Sequence, residues 1–119
     1  MTSIELPWPP KALSPNARTH WAEKARKTKM ARTLAWGLTA QALGSQLRTY
    51  AADGDIPLKV TLEPPMRGGA IPDEDNIMAS LKAYRDGIAS ALGVNDSRFR
   101  NERPVWLPRS GEGRVIIEF

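Results

Sequence analysis

Between Ile77 and Leu92 the residues Ile77, Leu81, Tyr84, Ile88 and Leu92 fall at i, i+4, i+7, i+11 and i+15, an apolar stripe along one side of a helix. A stripe of that length has to be buried against a second apolar surface. The sequence contains one. In Pro57-Leu58-Lys59-Val60-Thr61-Leu62-Glu63 the apolar residues Leu58, Val60 and Leu62 alternate with others, so they share one face of a strand. Ser3-Ile4-Glu5-Leu6 alternates in the same way, until the prolines of Pro7-Trp8-Pro9-Pro10 remove the backbone donors a strand needs. Helices laid on a sheet are therefore the expected core.

Lys11 to Thr19 reads as a loop with turn residues Ser14-Pro15-Asn16. A first helix is expected from near Thr19 to about Leu43, stopped by Gly44-Ser45. On it Trp21, Ala25, Thr28, Ala31, Ala35, Leu38 and Ala42 form a mostly small-residue stripe suited to lying close against the sheet. Gln46 to Gly54 is expected to be a loop, and Gly93 to end the second helix. Phe99 to Leu107 and Gly113 to Phe119 suggest a closing hairpin around Arg109-Ser110-Gly111-Glu112. The resulting order, β-α-β-α-β-β, predicts an α+β fold (an α/β sandwich). It has a mixed sheet of about four strands, two main helices on one sheet face, and a single domain over residues 1–119.

Composition removes several chemistries. There is no cysteine, hence no disulfide, thiolate zinc site or cysteine nucleophile, and His20 is the sole histidine. No apolar run approaches the length of a membrane span, and the first residues lack the pattern of a signal peptide, so a cytoplasmic protein with no membrane partner is expected. Net charge is +4, distributed unevenly: residues 1–50 carry eight Lys/Arg against two acids, residues 51–97 four against eight, and residues 98–119 five against three. An acidic centre between basic flanks suits a protein that meets a phosphate backbone and holds a cation at one place.

The acids gather where the second helix begins, in Asp73-Glu74-Asp75-Asn76. One reading is a site for a hard divalent ion such as Mg²⁺, which takes oxygen ligands and needs only one or two carboxylates. If the chain is extended there, Asp73 and Asp75 point one way and Glu74 the other. The other reading is an N-cap with acids complementing the helix dipole. At about 100° per residue, Asp75, Lys82 and Asp86 share the face opposite the apolar stripe. Lys82 and Asp86 are then either a surface ion pair or a cation and carboxylate directed to a bound phosphate. Lys24, Arg26, Lys27, Lys29 and Arg32 make the best phosphate-contacting segment, against the alternative of a solvated helix face. Arg67 beside Gly68-Gly69 is a further phosphate candidate or plain linker, and Trp8 either lids the core or stacks on a base.

Leu6-Pro7-Trp8-Pro9-Pro10, Ser14-Pro15-Asn16, Asp73-Glu74-Asp75-Asn76 and Asn95-Asp96-Ser97, in this order and spacing, resemble the RusA family of Holliday junction resolvases, common in phages and prophages. The resemblance spans nearly the whole chain. It implies a Mg²⁺-dependent endonuclease, with Mn²⁺ as a substitute ion, acting as a homodimer on four-way DNA junctions in a bacterial cytoplasm. It also implies that Asp73, Asp75 and Asp96 are catalytic metal ligands and Lys82 the catalytic lysine. In the family pattern the lysine follows the second Asp by about one helical turn; Ala79 holds that position here, and Lys82 lies a turn further on. Lys82 keeps the helical face and precedes Asp86 by four, as the family lysine precedes an Asp. Asp86 and Asn76 are candidates for supporting these groups. Two other classes stay open: a non-catalytic DNA-binding module, and a metal-dependent nuclease acting on other branched or linear DNA.

Overall fold

The computed structural model describes residues 2–44 and 54–119. The elements are β1 (Ser3–Pro7), α1 (Trp21–Leu43), β2 (Ile56–Glu63), α2 (Glu74–Ser80), α3 (Lys82–Leu92), β3 (Phe99–Asn101), β4 (Val105–Trp106) and β5 (Arg114–Glu118). Short 3-10 turns cover Lys11–Leu13 and Asp96–Arg98. The fold is α+β, as the sequence leads one to expect. The loop expected over residues 46–54 lies outside the described residues except for Gly54.

β2 organises the sheet. β5 lies antiparallel on one side of it and is itself paired antiparallel to β1, while β3 and β4 run parallel to β2 on the other side. β3 and β4 are two pieces of one edge strand, pairing with residues Ile56 to Leu58 and Thr61 to Leu62 of β2 in turn. Pro104 lies between them, where an edge strand tolerates the missing donor. Ile4, Leu6, Leu58, Val60, Leu62, Val115 and Ile117 point from the sheet into the core, and Ile77, Leu81, Tyr84, Ile88 and Leu92 meet them from the helices. Tyr84 also donates a hydrogen bond of 2.8 Å to the carbonyl of Pro7, tying α3 to the end of β1; burial pushes its phenol up to about 12.

Three details differ from the sequence expectation. The closing segments are not a hairpin: β4 and β5 flank β2 on opposite sides, and residues 107–113 carry the chain over its end. Ser110 N–H donates to the Pro64 carbonyl at 2.9 Å, and a Cβ on Gly113 would come within 2.7 Å of Pro65 N, so the crossing is tight enough to require glycine. Alternation marks a strand but not its neighbour.

The second helix is also broken, at Leu81 (φ −89°, ψ 0°). Ser80 Oγ donates to the Asn76 carbonyl at 2.9 Å and Leu81 N–H reaches back to Met78 at 3.2 Å, tightening the last turn of α2. The apolar stripe survives because Ile77 and Leu81 stay buried on both sides of the break. The shared polar face expected for Asp75, Lys82 and Asp86 does not survive as one helical line.

The small-residue stripe of α1 packs chiefly along α3 rather than on the sheet. Its middle, Ala31 and Ala35, is buried, whereas Trp21, Ala25 and Ala42 are exposed; Thr39 and Leu43 complete the buried face. Gly87 sets the crossing. A Cβ there would stand 2.3 Å from the Arg32 carbonyl oxygen and 2.9 Å from Ala35 Cβ.

On the sheet face away from the helices, Arg114 bridges Glu5 of β1, at 2.6 Å, and Glu63 of β2. The Arg114 hydrogen bond, with a further one from Ser110, holds the Glu63 carboxyl below its ordinary value. Because that value is depressed on folding, the contribution is present at neutral pH and lost as pH falls through the folded value.

Gly87→Ala should lower the urea midpoint, by about 1–3 kcal/mol of stability, as an overpacked contact does. Gly37→Ala, with nothing within 4 Å of the added Cβ, should leave it unchanged or raise it. Glu63→Gln should flatten the fall in thermal stability on acidification below the ordinary carboxylate range; an unchanged acid profile would remove this pair from the acid response.

Candidate functional site

The acidic segment is helical from Glu74 onward, so the extended geometry that would align Asp73 with Asp75 does not apply. Asp73 is the N-cap of α2, with φ −67° and ψ 164°, and its Oδ1 accepts from Asn76 N–H at 2.9 Å. Its other oxygen carries no hydrogen bond among the described residues. Glu74 turns to the sheet edge, accepting from Trp106 Nε1 at 3.3 Å and lying 3.9 Å from Arg103 Nε. Asp75 is exposed in the first turn, and Asn76 is half-buried with its backbone engaged on both sides.

Immediately after the break, Lys82 gathers a second group. Its Nζ lies 3.2 Å and 3.3 Å from the two oxygens of Asp86 and 3.6 Å from Asp96 Oδ2. Asp86 is its neighbour on α3, but Asp96 is brought there by the turn after the helix. Gly93 ends α3 in the left-handed conformation, and Asn95 then caps the next turn, its Oδ1 accepting from Ser97 N–H at 2.9 Å. Because Asn95 closes that turn, the Asp96 carboxylate is left for Lys82.

Lys82 and Asp86 line two adjoining grooves. One, of about 410 Å³, is completed by Arg32, Asn95 and Asp96, and the other, of about 330 Å³, by Lys24 and Thr28. Of the basic segment on α1, Lys24 and Arg32 therefore stand on either side of the Lys82 group. Lys29 is exposed elsewhere on the helix, Lys27 is half-buried, and Arg26 is turned towards Glu23 at 3.9 Å. Arg67 is exposed in the loop before α2 and lines neither groove. His20 caps α1, its Nδ1 accepting from Ala22 N–H at 3.2 Å.

Asp86 and Asp96 offer hard oxygen donors in one groove, a set chemically suited to Mg²⁺, which takes one or two carboxylates and completes its shell with water and phosphate oxygens. Among the described residues, however, no three His, Asp or Glu side chains are gathered closely enough to hold a metal. Asp73 and Asp75 lie at the start of α2, and Asp96 meets Lys82 at the start of α3. The positive charge between Asp86 and Asp96 here is the lysine ammonium. With its side chain 66% exposed, Lys82 contributes little stability through these pairs.

Asn95 and the Trp106–Arg103 contact with Glu74 were not evident as site features. Asn95 sits one residue before a turn, a recognisable capping position; the Glu74 contact spans 32 residues of sequence and has no local signal.

The fold and its charged grooves define an α+β domain with a lysine–carboxylate cluster at a helix crossing. No family model matches the sequence. The chain is 46% identical over 117 residues to an uncharacterized protein of Xylella fastidiosa (strain Temecula1), an alignment covering 98% of this chain and 74% of the relative, and it belongs to the same family. No helix among the described residues is long and apolar enough to cross a membrane.

Asp73→Ala should cost about 1 kcal/mol in urea unfolding through loss of the cap. Asp75→Ala should stay within about 0.5 kcal/mol. Equal costs would mean that Asp75 shares the capping role.

Proposed function

We propose that this chain is a metal-dependent endodeoxyribonuclease that cuts branched DNA, with the four-way junction as substrate. The observation that carries the reading is the meeting of Lys82 with Asp96 across 14 residues of sequence, between Lys24 and Arg32 of α1. A solvated surface pair needs only Asp86. A lysine held at a groove by two carboxylates, with arginine and lysine on either side, is poised for a phosphate.

In this reading Asp73, Asp75 and Asp96 would hold Mg²⁺, or Mn²⁺ in its place; the three carboxylates are not gathered in this structure, so the ion would have to draw Asp96 and the start of α2 together. Asp73 has its second oxygen to offer, and Asp75 and Asp96 are accessible. The ion, when bound, supplies an acidified water and stabilises charge on the leaving oxygen. Lys82 offsets negative charge on the phosphate under attack. Asp86 positions the Lys82 ammonium, and Asn76, whose N–H fixes Asp73 Oδ1, positions that carboxylate. Lys24, Arg26, Lys27, Lys29, Arg32 and Arg67 contact the DNA backbone, which makes binding steeply salt-dependent.

A homodimer belongs to the same reading, since two symmetric nicks on a two-fold substrate call for a two-fold enzyme. The exposed Met30, Leu34 and Trp36 of α1 give a second copy apolar surface to bury.

The test is cleavage of a mobile synthetic junction and of a linear duplex, with and without Mg²⁺, by wild type, Asp75→Asn and Lys82→Ala. Paired nicks in the junction alone are expected, dependent on the metal and reduced at least 100-fold by either substitution. Junction binding without cleavage, equal in all three proteins, would leave a DNA-binding module. Equal cutting of both DNAs would leave a nuclease without junction preference.

A further inference from the structure

A cleft of about 480 Å³ lies between the loop that follows β1 and the loop that leads into α2. Its volume is in the range of about 300–1,000 Å³ usual for small-ligand sites. Its walls are built in advance. Arg109 donates to the carbonyls of Pro65 at 2.9 Å and Gly69 at 2.6 Å, and Met66 N–H to Gly111 at 3.0 Å, fixing the second loop. Opposite, Leu13, Ser14 and Ala17 N–H groups bond back to Pro10, Lys11 and Ser14 at 3.0–3.1 Å.

The lining combines three things. Trp8 stands among prolines of both loops, giving flat apolar surface. Ser14, Asn16 and Ser80 supply groups able to donate or accept hydrogen bonds. Lys11 and Arg18 bring positive charge, are exposed, and have no ion-pair partner among the described residues. No Asp or Glu lines the cleft, although the chain has 13. Apolar planes, a few polar groups and unopposed cations are the chemistry that takes a planar base carrying a phosphate. A neutral or proline-rich peptide would leave both cations without a counter-charge.

We infer that this cleft binds one unpaired nucleotide of a DNA strand, its base beside Trp8 and its phosphate at Lys11 and Arg18. Ile71 and Pro72 form part of the lining and lead directly into Asp73. A nucleotide seated here delivers the next stretch of its strand to the acidic end of α2. The inference rests on the nuclease reading for its biological setting, but not for the binding itself. Branched DNA would be recognised through the base that leaves its pair at the branch point, which a continuous duplex does not offer.

The test titrates thymidine 5′-monophosphate into the full chain, followed by the indole N–H signals of the four tryptophans and the backbone signals of residues 8–19. Saturable shifts at Trp8, Asn16 and Arg18, with Trp21 and Trp36 unmoved, are expected. Lys11→Ala/Arg18→Ala should weaken binding about ten-fold, thymidine should shift the same signals at higher concentration, and inorganic phosphate should not move Trp8. Shifts confined to other residues, undiminished binding by the double variant, or the same shifts from phosphate alone would overturn the inference. A junction carrying 5-iododeoxyuridine at the branch point provides a second measurement: photocrosslinks to residues 8–18 support the cleft, and crosslinks only elsewhere overturn it. The two readings fail separately. Mononucleotide seated at Trp8 in a protein that cuts no DNA would remove the nuclease and keep the cleft; Asp75-dependent cutting with no nucleotide at Trp8 would remove the cleft and keep the nuclease.

Discussion

Gly87 has no side chain, and the backbone of α1 occupies the place where one would be, with the Arg32 carbonyl 2.3 Å from the position of a Cβ. Interiors packed to crystal-like density leave no room for such an atom without moving a whole element. The close approach is what puts Arg32 into the groove of Lys82, Asp86 and Asp96, and Lys24, two turns earlier on α1, into the adjoining one. Separate the helices and the basic residues of α1 no longer flank the lysine. The packing contact and the charge arrangement thus have one origin.

Within that frame, the use of each carboxylate depends on what its neighbours already satisfy. Helix and turn starts leave backbone N–H groups that need an acceptor. At α2 Asp73 is that acceptor, so one of its oxygens is committed. At the turn after α3 the neighbouring Asn95 is the acceptor, and Asp96 is left available. Glu74 is drawn away by Trp106 and Arg103. Three acids that look equivalent in sequence, Asp73, Glu74 and Asp75, therefore have three environments: a cap, a tether to the sheet edge, and an exposed side chain.

The periodic features were legible because burial repeats with the geometry of the element. The alternation in β2, the stripe from Ile77 to Leu92, and the limits of α1 all appear as expected, within two residues at the start of α1. What was illegible depends on partners distant in sequence. Nothing local in Phe99–Asn101 or Val105–Trp106 says that they pair with β2 rather than with β5. Gly87 looks like a weak point in a helix until Ala35 is set against it. At its start the α1 stripe failed because α3 is shorter than α1 and Trp21 and Ala25 stay exposed, and at its end because the buried face advances in steps of four through Ala31, Ala35, Thr39 and Leu43, which leaves Leu38 and Ala42 beside it. Of the site, Lys82 with Asp86 was readable at helical spacing, whereas the contact of Lys82 with Asp96 needed the turn at Asn95.

The break at Leu81 links these observations. Leu81 itself must stay buried to continue the apolar stripe, while Ser80 gives its hydroxyl to the carbonyl of Asn76 and tightens the turn before it. The two helices on either side then serve different openings. Ile77 of α2 lines the proline-walled cleft, Lys82 of α3 lines the two charged grooves, and Ser80 at the junction contributes to both the cleft and the groove beside Lys24. A continuous helix would keep Asp75, Lys82 and Asp86 along one line and present a single polar face to solvent. Breaking it places Lys82 at the head of its own helix, within reach of Asp96, while leaving Asp73 at the head of the other. The break at Leu81 thereby divides one row of polar residues into two surfaces, each with its own access to solvent.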